Sequence, residues 1–213
     1  GSIHGAVGSL IAHYHRQSTG EGQHVDVSCQ KAVVLAMTHY CDNWDMLRIN
    51  VKREGPFDTR SRPAPLGVLL RKFVYACKDG FVMAQLAGGA QAGQVASSRA
   101  LTQWANSLGC ALEIKDYDWT KLDVGRVPQS ELNRLQEAWE TFFLTQTKAE
   151  VIEKAVQRAI MMVPINHAKD IARSPQFKAR EFFVEVEHPE LGEAITYPGF
   201  PVKISSLPYR VNR

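Results

Sequence analysis

Cysteine is scarce in this chain and carries no pattern. The four residues, Cys29, Cys41, Cys77 and Cys110, stand far apart with no CxxC pair among them. That argues against a cysteine-ligated zinc module or a disulfide-stapled secreted scaffold and implies a reducing, intracellular compartment. A charge bias is missing too. The 25 basic and 22 acidic residues are interspersed and leave only +3, too little to argue for a nucleic-acid partner. No apolar run approaches the roughly 18 residues of a membrane span, and no stretch has the charged–apolar–small order of a signal peptide. The chain lacks GxGxxG, a GK[ST] phosphate loop and the GxSxG nucleophile elbow. These absences speak against dinucleotide binding, P-loop chemistry and serine hydrolysis.

The histidines supply no metal site. His13 and His15 lie two apart on a predicted helix and so point to different faces, His4 and His39 are isolated, and His167 and His188 fall in separate loops. Nothing brings together the three or four ligands that zinc requires, so no metal site is expected. No cysteine has a local motif that would make it a nucleophile. Asp26 is expected in a strand and Asp79 in a turn. Arg60 and Arg62 lie in a loop where an anion could be met.

What is present is globular. The 213 residues are 45% hydrophobic and 22% charged, enough for one large domain or two small ones with a substantial core. Val7, Leu10, Ile11 and Tyr14 recur at helical spacing within residues 4–17, among the small residues Gly5, Gly8, Ser9 and Ala12. Gly20 and Gly22 end that helix. In "QHVDVS" Val25 and Val27 alternate with polar residues, which predicts a short half-buried strand. Ser28 is placed to cap a helix running through "KAVVLAMTHYCDNWDML". Residues 50–67, rich in Pro, Gly and charge, read as a linker or surface loop.

"VLLRKFVYACKDGFVMAQL" follows as two apolar strands around the turn signal Lys78-Asp79-Gly80. "AGGAQAGQ" reads as a strand-to-helix connection leading to a helix over residues 98–108. Residues 113–128 are polar and irregular. Leu132, Leu135, Trp139, Phe142 and Phe143 form a helical stripe behind a Ser130 cap, and Thr147 with Glu150 forms a capping box for the next helix. "MMVPIN" predicts a buried strand. Two short helical turns around Ser174-Pro175 come next, then two strands around the loop of residues 188–192. The class is α/β or α+β.

Three blocks in order carry a resemblance. "HGAVGSLIAHYHRQSTGEGQHVDVSCQKA" resembles the helix–TGxGQxVDVS–helix segment of the class III CoA-transferases, the CaiB/BaiF, formyl-CoA transferase-like family. "RPAPLGVLLRKFVYACKDGFVMAQL" is similar to the family's proline-led hairpin. "AIMMVPINHAKDIARSPQFKAREFFVEVEHPELGEAITYPGFPVKIS" resembles its C-terminal block. The blocks span nearly the whole chain, and residues 88–128 are the least family-like.

The resemblance implies an α/β fold of the CaiB/BaiF type: part of a Rossmann-like large domain plus a small α+β domain. Residues 1–60 would be the large-domain helix–strand–helix segment with its linker helix. Residues 61–149 would be the small domain, and residues 150–213 a C-terminal segment returning to the large domain. It also implies transfer of CoA from an acyl-CoA to a carboxylate acceptor by covalent catalysis through an aspartyl-CoA thioester.

The nucleophilic aspartate would fall just before Gly1, so no catalytic residue is expected within the chain, which by itself is expected to be inactive. The active-site loop would fall at residues 59–67, making Arg62, Pro65 and Gly67 the candidate substrate-binding residues. No cofactor is implied beyond coenzyme A thioester as substrate. The implied assembly is an interlocked homodimer, with no nucleic-acid or membrane partner, in the cytoplasm or, in a eukaryote, the mitochondrial matrix. The alternatives are an α-methylacyl-CoA racemase-like enzyme, with acid–base chemistry at the acyl α-carbon, or a non-catalytic subunit or assembly module.

Overall fold

The structure is a computed structural model that describes residues 1–52, 54–61 and 67–206, the side chains of His39, Thr59, Arg60 and Ser61 excepted. It begins with α1 (Ser2–Thr19), which places Val7, Leu10, Ile11 and Tyr14 along one helix. Gly20 ends it at φ 78°, a left-handed conformation that only glycine adopts without cost, and its N–H donates to the Arg16 carbonyl at 2.8 Å. The side chains around this turn close it further. The Thr19 hydroxyl donates to the His15 carbonyl at 3.0 Å and accepts the Glu21 N–H at 3.2 Å, and the Gln23 amide reaches His15 Nδ1 at 2.8 Å.

Residues 24–28 differ from expectation. They pair with no strand among the described residues. The alternation is real, since Val25 and Val27 are half-buried between exposed neighbours. A strand, however, needs a ladder partner as well as a face. Val25 packs instead on α1, where a β-carbon at Gly8 would lie 2.8 Å from its Cγ1.

Ser28 caps α2 (Cys29–Ala36) as expected, its hydroxyl accepting the Lys31 N–H at 3.3 Å. The single helix foreseen beyond it is two. Met37, at φ −114°, separates α2 from α3 (Thr38–Leu47).

The segment read as linker contains a strand, β1 (Phe57–Ser61), antiparallel to β2 (Val68–Lys72). The apolar run after Gly67 is therefore two strands. It breaks at Phe73, where the N–H groups of Phe73 and Val74 both donate to the Pro56 carbonyl. β3 (Val74–Cys77) and β4 (Gly80–Ala84) then form the predicted hairpin, and β5 (Met162–Ile165) joins β4 on its other edge. Pro164 has no N–H to give a ladder and is accommodated because β5 is an edge strand.

α4 (Ala92–Ser107), two 3₁₀ turns (Leu112–Ile114 and Trp119–Lys121), α5 (Gln129–Phe143) and α6 (Lys148–Arg158) complete this body. The α5 cap is Pro128 rather than Ser130, with no side-chain bond, whereas the Thr147–Glu150 capping box is present.

All the side chains of the main hydrophobic core lie between Leu69 and Met162. The α5 stripe of Leu132, Leu135, Trp139, Phe142 and Phe143 is fully buried there. Trp119 packs on Trp139 with ring centroids 5.5 Å apart, and Trp104 meets Phe142 edge-on at 4.7 Å. Thr102 takes the Trp139 indole N–H at 3.3 Å, so the buried ring leaves no polar atom unpaired. Two glutamines of α5 satisfy the backbone of β2. Gln129 exchanges both of its amide groups with Leu70, at 2.9 and 2.8 Å, and Gln136 accepts the Lys72 N–H.

The chain ends in α7 (Ala168–Ala172), α8 (Pro175–Ala179) and a separate hairpin of β6 (Phe183–His188) and β7 (Glu193–Pro198). Every ladder among the described residues is antiparallel. No helix among them is long and apolar enough to cross a membrane.

Candidate functional site

Arg62, Pro65 and Gly67, singled out from the sequence, fall along the chain between the strands β1 and β2. Their ladder runs from Phe57↔Lys72 to Ser61↔Val68. Arg62 and Pro65, between the two strands in sequence, lie outside the described residues. Gly67 is described and has a left-handed φ of 64°, with nothing within 4 Å of where a β-carbon would be.

Four residues further along β2, Arg71 shares the inward face with Leu69, and both are buried. Its guanidinium donates to Asp58 Oδ2 at 3.0 Å, directly across the ladder, and lies 4.5 Å from the centroid of the Phe73 ring. A buried cation needs such compensation, because leaving water costs several kcal/mol unless a carboxylate is at hand.

Arg71 also forms part of a cleft of about 550 Å³, a volume in the range of small-molecule sites. One wall is the turn from β4 to α4, with Gln85, Gly88, Gly89, Gln91 and Gln94. The other is the segment around the second 3₁₀ turn, with Thr120, Leu122, Asp123, Val124 and Gly125. Gly89 ties the walls together through its N–H to the Trp119 carbonyl, at 2.9 Å. Gly88 permits that contact, since a β-carbon there would be 2.2 Å from the same oxygen. The glycine-rich stretch thus makes the strand-to-helix connection read from the sequence, and it also forms one side of a cleft.

Other chemically suggestive groups are engaged structurally. All four cysteines are free thiols, and burial pushes the Cys77 thiol above its ordinary value, which disfavours the reactive thiolate. His167 begins α7, its backbone N–H bonded to Asp170 at 3.0 Å. Asp170 also takes the ammonium of Lys148, and Lys148 donates its backbone N–H to Asp79 at 2.8 Å. His188 is buried, with Nδ1 3.0 Å from Glu190 and Nε2 3.1 Å from the Tyr197 hydroxyl, bracing the β6–β7 turn. Burial pushes the Tyr75 hydroxyl far above its ordinary value. No group of three or more His, Cys, Asp or Glu among the described residues could hold a metal ion.

Sequence reading missed the cleft as a unit. Its parts come from residues 71, 85–94 and 120–125, too far apart for any local pattern. Two signals pointed there: the Gly88-Gly89 doublet, and a charge at an inward position of β2.

The model of CoA-transferase family III matches residues 1–213, and the chain belongs to that family. Among curated relatives, it is 26% identical over 215 residues to the succinyl-CoA:(R)-benzylsuccinate CoA-transferase subunit BbsE of Thauera aromatica, covering 98% of this chain and 48% of the relative. It is 28% identical over 220 residues to the formyl-CoA:oxalate CoA-transferase of Streptomyces avermitilis, covering 98% and 50%. The chain therefore spans about half the length of the curated relatives it matches. A CaiB/BaiF family protein from Brucella suis has the same fold over 95% of this chain and 47% of its own, with a TM-score of 0.58 at 17% identity. The mixed helix and strand architecture is thus the α/β fold of this family.

Proposed function

We propose that the chain is part of an acyl-CoA:carboxylate CoA-transferase that works through an aspartyl-CoA thioester. The observation that carries this reading is the family match over residues 1–213, together with relatives that are CoA-transferases by name. The nucleophile is an aspartate in a segment preceding Gly1. Its carboxylate attacks the thioester carbonyl, expelling the CoA thiolate and leaving a mixed anhydride. The thiolate then attacks the aspartyl carbonyl and releases the donor acid, so that CoA is held on the enzyme. The acceptor carboxylate repeats the exchange in reverse, leaving as its CoA thioester and restoring the aspartate. Both acceptors in the relatives' names are dicarboxylic acids, which makes a dicarboxylate the acceptor class proposed here.

Residues 1–60 and 150–213 are assigned to the large domain of such an enzyme and residues 61–149 to its small domain, with α6 and β5 packing on the small-domain body before the chain returns. Arg62, Pro65 and Gly67 lie in the active-site loop as substrate-binding residues, CoA thioester is a substrate with no further cofactor, and the enzyme is a cytoplasmic homodimer. The deciding experiment assays the full-length reading frame with succinyl-CoA and a panel of dicarboxylates, with mass spectrometry for a CoA adduct on an aspartate. CoA transfer and the adduct are expected, and the 213-residue chain alone should turn over nothing. Proton exchange at the acyl α-carbon without CoA transfer would overturn the proposal in favour of racemase-like chemistry.

A further inference from the structure

We propose that the ion pair between Lys148 and Asp170 is a latch. It fixes the C-terminal unit, residues 168–203, against the core-bearing body, and the unit swings about residues 166–167 when the pair opens. The unit is packed on itself. Its β6–β7 ladder runs through six residue pairs, from Phe183↔Pro198 to His188↔Glu193. Phe177, Phe182 and Phe183 form an aromatic cluster with ring centroids 5.1 to 6.1 Å apart. The Phe182 carbonyl accepts the Gly199 N–H at 2.7 Å, and the Lys203 ammonium meets Glu181 at 2.9 Å. To the body the unit gives little apolar surface. Among the described residues no side chain beyond Met162 enters the main core, and α7 and α8 bury none of their residues. The link is Asn166 and His167, both exposed, between the end of β5 and the start of α7. Two bodies that pack separately and share a short link move about it unless something else joins them.

Lys148 joins them. It is the first residue of α6, and its backbone N–H donates to Asp79 in the β3–β4 turn at 2.8 Å. Its stem passes Gly80, with Cδ and Cε each 3.6 Å from where a β-carbon of that glycine would lie. Its ammonium then reaches Asp170 Oδ2, the same oxygen that accepts the His167 N–H of the link at 3.0 Å. One carboxylate oxygen therefore ties the link, α7 and α6 at a single point. The Lys148 side chain is 12% exposed. With backbone and stem both held, the ammonium loses little further freedom on pairing. A pair such as Lys121–Asp118 is different, because its lysine is 82% exposed and must give up that freedom to water-screened charge. A charge-assisted hydrogen bond is also directional, so it sets an angle that a small apolar contact would leave loose.

The latch follows from this geometry and needs no part of the CoA-transferase reading. On that reading it joins the small-domain body to the segment assigned to the large domain, and its opening is a motion between the two. The test is a distance measurement on the 213-residue chain. Spin labels are placed at Val156→Cys on α6 and Glu187→Cys on β6, both exposed positions. Cys29, Cys41 and Cys110 are changed to serine, and labelled chains are diluted with unlabelled ones. Lys148→Met removes the ammonium but keeps a stem and the backbone N–H, whereas Lys148→Arg keeps the charge. The parent chain should give one narrow distribution of label separations. Lys148→Met should widen it about twofold, as motion about a hinge requires, and Lys148→Arg should leave it narrow.

Amide hydrogen exchange on the same variants should show α5 and the β6–β7 ladder still protected, because both bodies stay folded while the joint between them loosens. A parent distribution that is already broad, or one that Lys148→Met leaves narrow, would overturn the latch. Equal broadening by Lys148→Arg would overturn it too, since charge would then not be what holds the joint. Loss of protection in α5 would do the same, because Lys148 would then support the fold of the body rather than its junction with the C-terminal unit.

Discussion

Gly88 lies against the backbone of Trp119 so closely that a β-carbon at this position would sit 2.2 Å from the Trp119 carbonyl oxygen and 2.9 Å from Leu122 Cβ. Backbone cannot step aside as a flexible side chain can, so Gly88→Ala should push the two walls of the cleft apart. The expected cost is about 3 kcal/mol, the upper range of overpacking, read as a lower urea midpoint. Gly93 provides the contrast, because it sits in the first turn of α4 with nothing within 4 Å of its would-be β-carbon. Gly93→Ala should stabilise by about 0.5–1 kcal/mol through helix propensity and a less flexible unfolded chain. Equal effects of the two substitutions would contradict the packing described.

A pH dependence follows from Asp170. The Lys148 ammonium beside it, and then the His167 N–H, hold its carboxyl below the usual carboxylate value. A lowered folded value means that the unfolded chain binds the proton more readily. The contribution is therefore fully present above the unfolded carboxylate pKa of about 3.9 and is lost as pH falls through the lower folded value. Asp170→Asn should lower Tm at neutral pH and converge with the parent protein in strong acid. A constant Tm gap across the whole range would rule out this origin.

How much of this was legible in advance depends on how local each cause is. The α5 stripe and the Thr147–Glu150 box are patterns of three to four residues, set by helix geometry, and both appear as read. Thr19, Gly20 and Gln23 proved to be one turn, in which the Thr19 and Gln23 side chains return to His15 and the Gly20 N–H to Arg16, which explains that short motif by contacts within eight residues. The split at Phe73 was not legible, because inward residues continue at 69, 71, 75 and 77 across it. The break is made by Pro56, seventeen residues earlier. For residues 24–28 the face was read correctly, but the ladder depends on a neighbour that no local sequence encodes. The cleft is the extreme case, with three distant segments and no periodicity.

The core provides a test of where stability resides. Trp139 is fully buried among Trp119, Thr102 and the rest of the α5 stripe. Trp139→Ala should cost about 3–5 kcal/mol, the penalty for emptying a large aromatic site. Leu10 on α1 is 69% exposed, so Leu10→Ala should change stability by no more than about 0.5 kcal/mol. Chemical denaturation of both variants checks the difference. A large loss at Leu10 would mean that α1 is packed in a way this structure does not describe.

That exposure leads to association. Val33 and Leu35 on α2, Met37 at the joint, and Tyr40 and Trp44 on α3 are exposed large apolar residues, as are Val7, Ile11 and Tyr14 on α1. Phe142 and Phe143 of α5, by contrast, are buried in the chain's own core. Exposed apolar residues occur elsewhere too, Phe81 and Val156 among them, but the three N-terminal helices add no side chain to the main core. Each such residue would gain about 1.5–3 kcal/mol on full burial, and an apolar surface of this extent marks an association site. The 213-residue chain should self-associate through α2 and α3, giving a scattering mass above the 23.8 kDa of one copy. Leu35→Glu with Trp44→Glu places charge in that contact, where a buried unpaired carboxylate is strongly disfavoured, and should return the chain to a monomer. A parent chain that is already monomeric at micromolar concentration, and stays soluble, would refute the association.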